Sequence, residues 1–397
     1  MGVRMSEVAA RAGVSTQTVS RVMRNSQQVA TETADRVRAV MAELGYHGNA
    51  AAGALKSGHT RTVGLLFPFL TLSIWSDVAA GAEELAHAHG YSLLLCDTSD
   101  SPSKEASYIS LLLSQRVAGI VYALPRCRPH SEPACAALVA SDIPVVVIGA
   151  DQHDLPYTHV RTDDERAGYV AIRHLLDLGR RRIALIATGN PTPPDLLPLQ
   201  APVQDRLAGV LRAMQDAGLD SGSTPLLVVP NSVEGGRAAG RALIEADGAL
   251  PDGIFATTDA VGLGVIDALR LTGVAIPAEV AVLAHDGLEA GGVSVPSLTT
   301  IGPPRRAMGT ACVDLLLRAA AGFPLPSLQM LDAEFIVRES TAGSGPALRR
   351  GLATPLSDPL AWSRWRGQAT AVGPEEAALV RLTLGQVLGR GEVSRPA

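Results

Sequence analysis

From Arg61 onward the chain repeats one pattern, and that pattern leaves few folds open. Short apolar runs (TVGLLFPFL, YSLLLCDTS, VAGIVYAL, IPVVVIGA, RIALIAT, PLLVVPN, GIFATT and EVAVLAHD) each end in polar residues or glycine. Between most of them lie amphipathic stretches such as SDVAAGAEELAHAHG, EASYISLLLSQ, DERAGYVAIRHLLDLG and QDRLAGVLRAMQDAG. Apolar runs this short suit strands buried on both faces, and strand–helix alternation gives parallel sheets flanked by helices. Eight or more repeats between residues 61 and 340 suit two lobes better than one sheet, with a boundary expected near Tyr157–Asp163. Ligands in such folds bind beyond the carboxyl ends of the strands.

At 397 residues the chain exceeds what one core usually supports, so two to three domains are expected. Apolar residues make up 47% and charged residues 18%, which favours large cores over disorder. MGVRMSEVAARAG lacks the apolar run of an export signal, and no later stretch is apolar enough to span a membrane, so a cytoplasmic protein is expected. Cys96, Cys127, Cys135 and Cys312 show no C-x-x-C spacing and read as buried thiols. No G-x-x-x-x-G-K-[ST], H-E-x-x-H or G-x-S-x-G motif occurs, so no catalysis, metal or cofactor is expected. His285 and Asp286 are adjacent, but neighbours along a strand point to opposite faces, which counts against an acid–base pair.

Net charge is −5, yet its distribution is uneven. Residues 1–61 hold eight basic residues (Arg4, Arg11, Arg21, Arg24, Arg36, Arg38, Lys56, Arg61) against four acids (Glu7, Glu32, Asp35, Glu43). A basic head on an acidic body is the asymmetry expected when only the head meets phosphate. Ser6 can cap a first helix, EVAARA, that ends at Gly13; Ser15 caps TQTVSRVMRN, and Thr31 caps ETADRVRAVMAELG. Val14, Val19 and Val22 then face inward, with Thr16, Gln17, Ser20 and Arg21 outward. Val37, Val40, Met41 and Leu44 repeat at helical spacing. Helix, glycine turn, helix is the helix-turn-helix arrangement, whose second helix enters the major groove. GYHGNAAAGALKSGHT (45–60) is too poor in apolar bulk to fold alone and reads as a linker.

These residues are more than generic. AGVS-x-x-TVSRV, the following V-x-x-x-T-x-x-RV and LGY closely resemble the head of the lac repressor/Gal repressor family of bacterial regulators. The resemblance continues through IPVVVIG, HLLDLGRRRIALI, IFATTD, VAVLAHD, PSLTTI and VRES, covering residues 3–340 and leaving the last 57 unmatched. It implies an all-α helix-turn-helix head on an α/β, two-lobed periplasmic-binding-protein-like core. It further implies a ligand-responsive repressor that binds double-stranded, palindromic operator DNA as a homodimer, its effector lying between the lobes. The expected domains are a head (1–46), a hinge (47–60), a core (61–340) and an extension (341–397). Lobe 1 would take 61–159 plus 297–325, and lobe 2 160–296 plus 326–340.

Through that resemblance Thr16, Gln17 and Arg21 would face base edges, where Arg suits guanine and Gln adenine. Ser15, Thr18, Ser20 and Asn25 would contact phosphates. Asn49 to Ser57 would fold as a hinge helix on DNA, with Asn49 contacting it and Leu55 wedged into the minor groove. Gly48 and Gly53 stand where the family commonly has Pro and often Arg, and each costs a helix about 1 kcal/mol relative to Ala. In the core, Arg206, Asp259 and Asp286 fall on ligand-contacting positions. Thr258, Gly149 and Asn231 depart from the sugar-binding pattern, and Trp75 is expected to supply the stacking face that Asn231 lacks. A sugar or sugar derivative leads among effectors, with a nucleoside, purine or other small metabolite next. A solute-binding protein, or a metabolite sensor acting without DNA, is the alternative, against which stand the attached head and the missing export signal. The extension reads as a flexible tail with one helix, PEEAALVRLTLGQVLGRG, whose stripe of Leu379, Leu382, Val387 and Leu388 is interrupted by Gly385; a tetramer or partner contact through it is the reading beyond a dimer.

Overall fold

The computed structural model describes residues 3–23, 28–46, 59–69, 73–124, 133–149, 155–189, 199–222, 224–246, 248–343, 352–355 and 380–383. The head contains α1 (Met5–Ala12), α2 (Thr16–Met23) and α3 (Thr31–Glu43). The first helix starts one residue before the expected Ser6 cap: Arg4 occupies the cap position, and its backbone N–H donates to Glu7 Oε1 at 3.2 Å. Gly13 turns the chain at φ 65°, a conformation that costs glycine nothing. Ser15 caps α2 by accepting the Thr18 N–H at 3.1 Å. Thr31 opens α3 as its first residue, not as its cap. Val8, Val19, Val22 and Val37 form the core of this small bundle, with Val14, Val40, Met41 and Leu44 packed around them.

The body begins with β1 (Thr62–Phe67), α4 (Ser73–Ala88), β2 (Ser92–Asp97), α5 (Pro102–Ser114), β3 (Gly119–Ala123), α6 (Pro133–Val139), β4 (Val145–Ile148) and β5 (Thr158–Arg161). There follow α7 (Asp164–Asp177), β6 (Ile183–Thr188), α8 (Ala201–Asp216), β7 (Pro225–Val229), α9 (Val233–Ile244), β8 (Gly253–Ala256), α10 (Asp259–Leu271), β9 (Ala281–His285), α11 (Glu289–Val293) and β10 (Thr299–Gly302). The last elements are α12 (Arg305–Ala320), β11 (Leu328–Met330), β12 (Glu334–Val337), α13 (Glu339–Ala342), β13 (Leu352–Pro355) and β14 (Val380–Thr383).

Two sheets result. The first, in order β11-β5-β4-β3-β1-β2, is parallel throughout; the second runs β13-β12-β10-β9-β8-β6-β7-β14. Its inner strands are parallel, and the antiparallel pairs are β10–β12, β12–β13 and β7–β14. Because helices cover both faces, strands such as β3, β6 and β9 are buried at every residue, which is why they read as unbroken apolar runs. In lobe 1, Trp75 and Val78 of α4 and Met308 and Leu315 of α12 pack on Leu65, Val121 and Val146. In lobe 2, Leu175 and Leu207 cover one face of the sheet, and Val261 and Val265 the other.

Three expectations need correction. The strand at 299–302 belongs to lobe 2, and the strand at 328–330 to lobe 1, the reverse of the expected assignment. The buried Thr299 and Thr300 hydroxyls fix the first: they bond Thr341 and Asp259, both of lobe 2, before Pro303 and Pro304 carry the chain across. The crossovers therefore lie at 162–163, 303–304 and 331–333. The helix expected in the extension, PEEAALVRLTLGQVLGRG, is a strand at its described residues, Val380–Thr383. Leu382 lies in β14, and β13 and β14 pair with strands that would otherwise end the sheet with open N–H and C=O rows. Leu379, Val387 and Leu388 lie outside the described residues. Finally, Cys96 and Cys312 are buried free thiols, Cys96 pushed up to about 11 by burial, whereas Cys135 is disulfide-bonded; Cys127 is outside the described residues.

Candidate effector cleft and nucleic-acid interface

On α2 the apolar residues spaced three apart, Val19 and Val22, turn inward, so Thr16, Gln17 and Arg21 stand exposed on the opposite side. None of these three side chains makes a hydrogen bond or ion pair with the described residues. Ser15 and Thr18 are engaged with each other, their hydroxyls 2.9 Å apart, which stiffens the first turn. Ser20 is half-buried. Asn25, Asn49 and Leu55, together with residues 47–58 of the expected hinge, lie outside the described residues.

The carboxyl ends of strands from both lobes enclose a cavity of about 710 Å³. Phe69, Leu124 and Gly149 follow β1, β3 and β4; Gly189, Asn231, Thr258 and Asp286 follow β6, β7, β8 and β9. Ile74, Trp75, Val78 and Met308 supply an apolar wall from lobe 1. Trp75 is 5% exposed, and its indole N–H has no hydrogen-bond partner among the described residues. A second cavity of about 610 Å³ lies at the amino ends of β4 and β5, lined largely by Pro, Leu, Ile and Val, away from these polar groups.

Among the described residues three arginines line the cleft, and each is held by an acid. Arg161 Nη2 lies 2.6 Å from Asp205, Arg206 Nε 2.7 Å from Asp164, and Arg305 Nε 3.0 Å from Asp77. Arg206 is only 7% exposed and also donates to the Thr257 carbonyl at 2.7 Å. Desolvating such a pair is tolerable only because its donors and acceptors are occupied. On the opposite wall the Thr258 hydroxyl donates to Asn231 Oδ1 at 2.9 Å.

Of the four residues expected to meet an effector, Trp75, Arg206 and Asp286 line the cavity and Asp259 does not. Asp259 is fully buried between Thr258 and Ala260, its carboxylate turned away to accept the Leu288 N–H at 2.6 Å and the Thr300 hydroxyl at 2.5 Å. Burial, with the Asp286 charge adding, pushes its carboxyl up to about 7. The expectation that His285 and Asp286 diverge also fails. Asp286 sits at φ 135°, off the strand's regular alternation, and its carboxylate comes 3.5 Å from His285 Nδ1. His285 is fully buried, and burial, with Arg206 nearby, pushes its pKa down despite Asp164 and Asp286. Sequence reasoning missed Arg161, Asp164 and Arg305. All three flank a crossover, and they become legible only when the crossovers are placed at 162–163 and 303–304.

Comparison with known proteins bears on both surfaces. Residues 4–49 match the family of bacterial regulatory proteins of the lacI type, and residues 172–341 match a periplasmic binding protein-like domain. The HTH-type transcriptional regulator DegA of Bacillus subtilis is 30% identical over 343 residues, 86% of this chain and 99% of DegA. A lac repressor dimer bound to operator and the anti-inducer ONPF superposes with a TM-score of 0.71 at 26% identity, over 84% of this chain and 97% of that one. A complex of the transcriptional regulator CelR with cellobiose gives 0.61 at 26% identity, over 85% and 99%. No helix among the described residues is long and apolar enough to cross a membrane. The chain belongs to the lacI family of bacterial regulatory proteins, and it is a DNA-binding transcription regulator with a ligand-binding core, not an enzyme.

Proposed function

We propose that this regulator binds a palindromic operator as a homodimer and changes its affinity when an uncharged, polyhydroxylated molecule, a sugar or sugar derivative, enters the inter-lobe cleft. In this reading Thr16, Gln17 and Arg21 read base edges, while Ser15, Thr18, Ser20 and Asn25 hold phosphates. Asn49 and Leu55 act in the minor groove. Trp75 offers its face to the ring of the effector, with Arg206 and Asp286 bonding hydroxyls. Coupling requires only that the effector bind one arrangement of the lobes more tightly than another.

The observation that carries the effector class is the pairing of the arginines. Arg161, Arg206 and Arg305 already face Asp205, Asp164 and Asp77, and Asp286 adds a further acid to the wall. Among the described residues, a phosphate entering such a site would meet no uncommitted cation, whereas hydroxyls can share the existing donors and acceptors. The cellobiose complex of CelR supports a neutral carbohydrate as the class. A thermal-shift screen of the full chain against neutral sugars, nucleosides and sugar phosphates tests this. A neutral sugar at about a hundred times its Kd should raise the melting point by roughly 5–10 °C and alter operator affinity. Stabilisation by phosphate esters alone would overturn it.

A further inference from the structure

We infer that Arg305 is a clasp between the lobes, fixing the loop that carries Asp286 to lobe 1 and thereby setting how readily the cleft opens. The inference rests on the cleft being the effector site, but its geometry stands apart from any ligand. Arg305 is the first residue of α12, in lobe 1, and its guanidinium is 9% exposed. On its own lobe it meets Asp77 of α4, with Nε and Nη2 each 3.0 Å from Oδ2. Toward lobe 2 it donates to the backbone carbonyl of Asp286 and, at 3.5 Å, to that of Gly287.

The loop it holds is divided between the lobes. The N–H groups of Asp286, Gly287 and Leu288 donate into lobe 2, to the Ile301 carbonyl at 2.9 Å, Thr300 Oγ1 at 3.1 Å and Asp259 Oδ2 at 2.6 Å. Its first two carbonyls face lobe 1 and accept from Arg305. Asp286 keeps a φ of 135°, a region that favours glycine, so this backbone persists only while its surroundings hold it. The lobe 1 end of the clasp is rigid: a Cβ on Gly81 would fall 2.0 Å from the Arg306 carbonyl oxygen, so α4 and α12 touch backbone to backbone and keep Asp77 and Arg305 in register. Opening the cleft would pull Arg305 off both carbonyls and free Asp286, the acid that lines the cavity. Lysine can replace it only in part, because a single ammonium cannot span Asp77 and two carbonyls as the fixed fork of a guanidinium does.

Hydrogen exchange on the full chain tests the clasp, with Arg305→Met, Arg305→Lys, Asp77→Asn and the double variant Asp77→Asn/Arg305→Met. Arg305→Met should speed exchange at amides 286–288 about tenfold, leaving β6 and β8 unchanged. Asp77→Asn should do so about threefold, because it loses only the lobe 1 anchor. The double variant should equal Arg305→Met, and Arg305→Lys should fall between Arg305→Met and wild type. Effector-free affinity for an operator selected from random duplexes should shift severalfold in the same order, a readout that local loosening alone would leave unmoved. If Arg305→Met does not fold, Asp77→Asn carries the test, since Asp77 is half-exposed. Unchanged exchange, additive effects in the double variant, or altered exchange with constant operator affinity would each overturn the clasp. A cleft that took no sugar would leave the exchange order intact, so the two readings fail separately.

Discussion

Arg21 and Arg206 carry the same guanidinium and live in opposite circumstances. Arg21 is exposed on α2 and bonds nothing in the described structure, whereas Arg206 is 7% exposed and bonds both Asp164 and the Thr257 carbonyl. The contrast separates two kinds of recognition. A surface that meets a phosphate polymer can leave its donors in water until the partner arrives, because the partner brings dense charge and displaces counterions. A cleft that meets a small neutral molecule must satisfy its charges beforehand, because an unpaired buried charge costs more than such a ligand can return.

The largest expected effect lies in the cleft. Arg206→Met leaves Asp164 buried without its partner and should destabilise the core by about 3–5 kcal/mol, read by urea unfolding of the full chain. Gln17→Ala on the head should leave stability within about 0.5 kcal/mol. It should relax selectivity by about 1–3 kcal/mol at one base position, measured by competition between variant duplexes. Ser15→Ala sits between the two, because that side chain is committed to capping. It should cost the head about 1 kcal/mol, visible in thermal unfolding monitored by circular dichroism.

The smallest effect concerns pH. Asp259, raised to about 7 in the folded state from a reference of 3.8, binds its proton more tightly when folded. Its contribution to stability is therefore fully present below about 4 and lost as pH rises through about 7. His174, lowered to about 3 by burial, and His285, also lowered by burial, act in the opposite sense: their contribution is present above about 6.5 and lost as pH falls. The net slope should be shallow. Asp259→Asn isolates the acid: the stability advantage of wild type over the variant should shrink as pH rises from 4 to 7, measured by denaturant titration at several pH values. A constant difference would show that Asp259 stays ionised in the fold.

What could be read from the sequence follows the same division. Head residues were legible because exposure on a short helix depends on local periodicity alone: burying Val19 and Val22 forces Gln17 and Arg21 outward. The strand ends were legible because both-face burial makes strands conspicuous. The partners Asp77, Asp164 and Asp205 were not, since they come from elements far from their arginines in sequence and meet them only once the crossovers are fixed. Asp286 was found as a cleft residue but misjudged in direction, because its positive φ breaks the alternation on which the inference relied. Asp259 was misjudged for a related reason: starting a helix at a strand's end is compatible with facing either the cleft or the protein beneath it, and Leu288 and Thr300 decide between them.

If the proposed function holds, the exposed side chains of Thr16, Gln17 and Arg21 on α2, which bond nothing among the described residues, read operator bases. Fluorescence anisotropy of palindromic duplexes selected from a random pool, titrated with wild type and with Arg21→Ala at two salt concentrations, tests it most directly. Wild type should bind tightly and sequence-selectively, with affinity falling at least about a hundredfold between roughly 50 and 200 mM salt. Arg21→Ala should retain that salt dependence while losing discrimination at one base pair of each half-site. Wild-type binding indifferent to sequence, or a variant with selectivity intact, would contradict it.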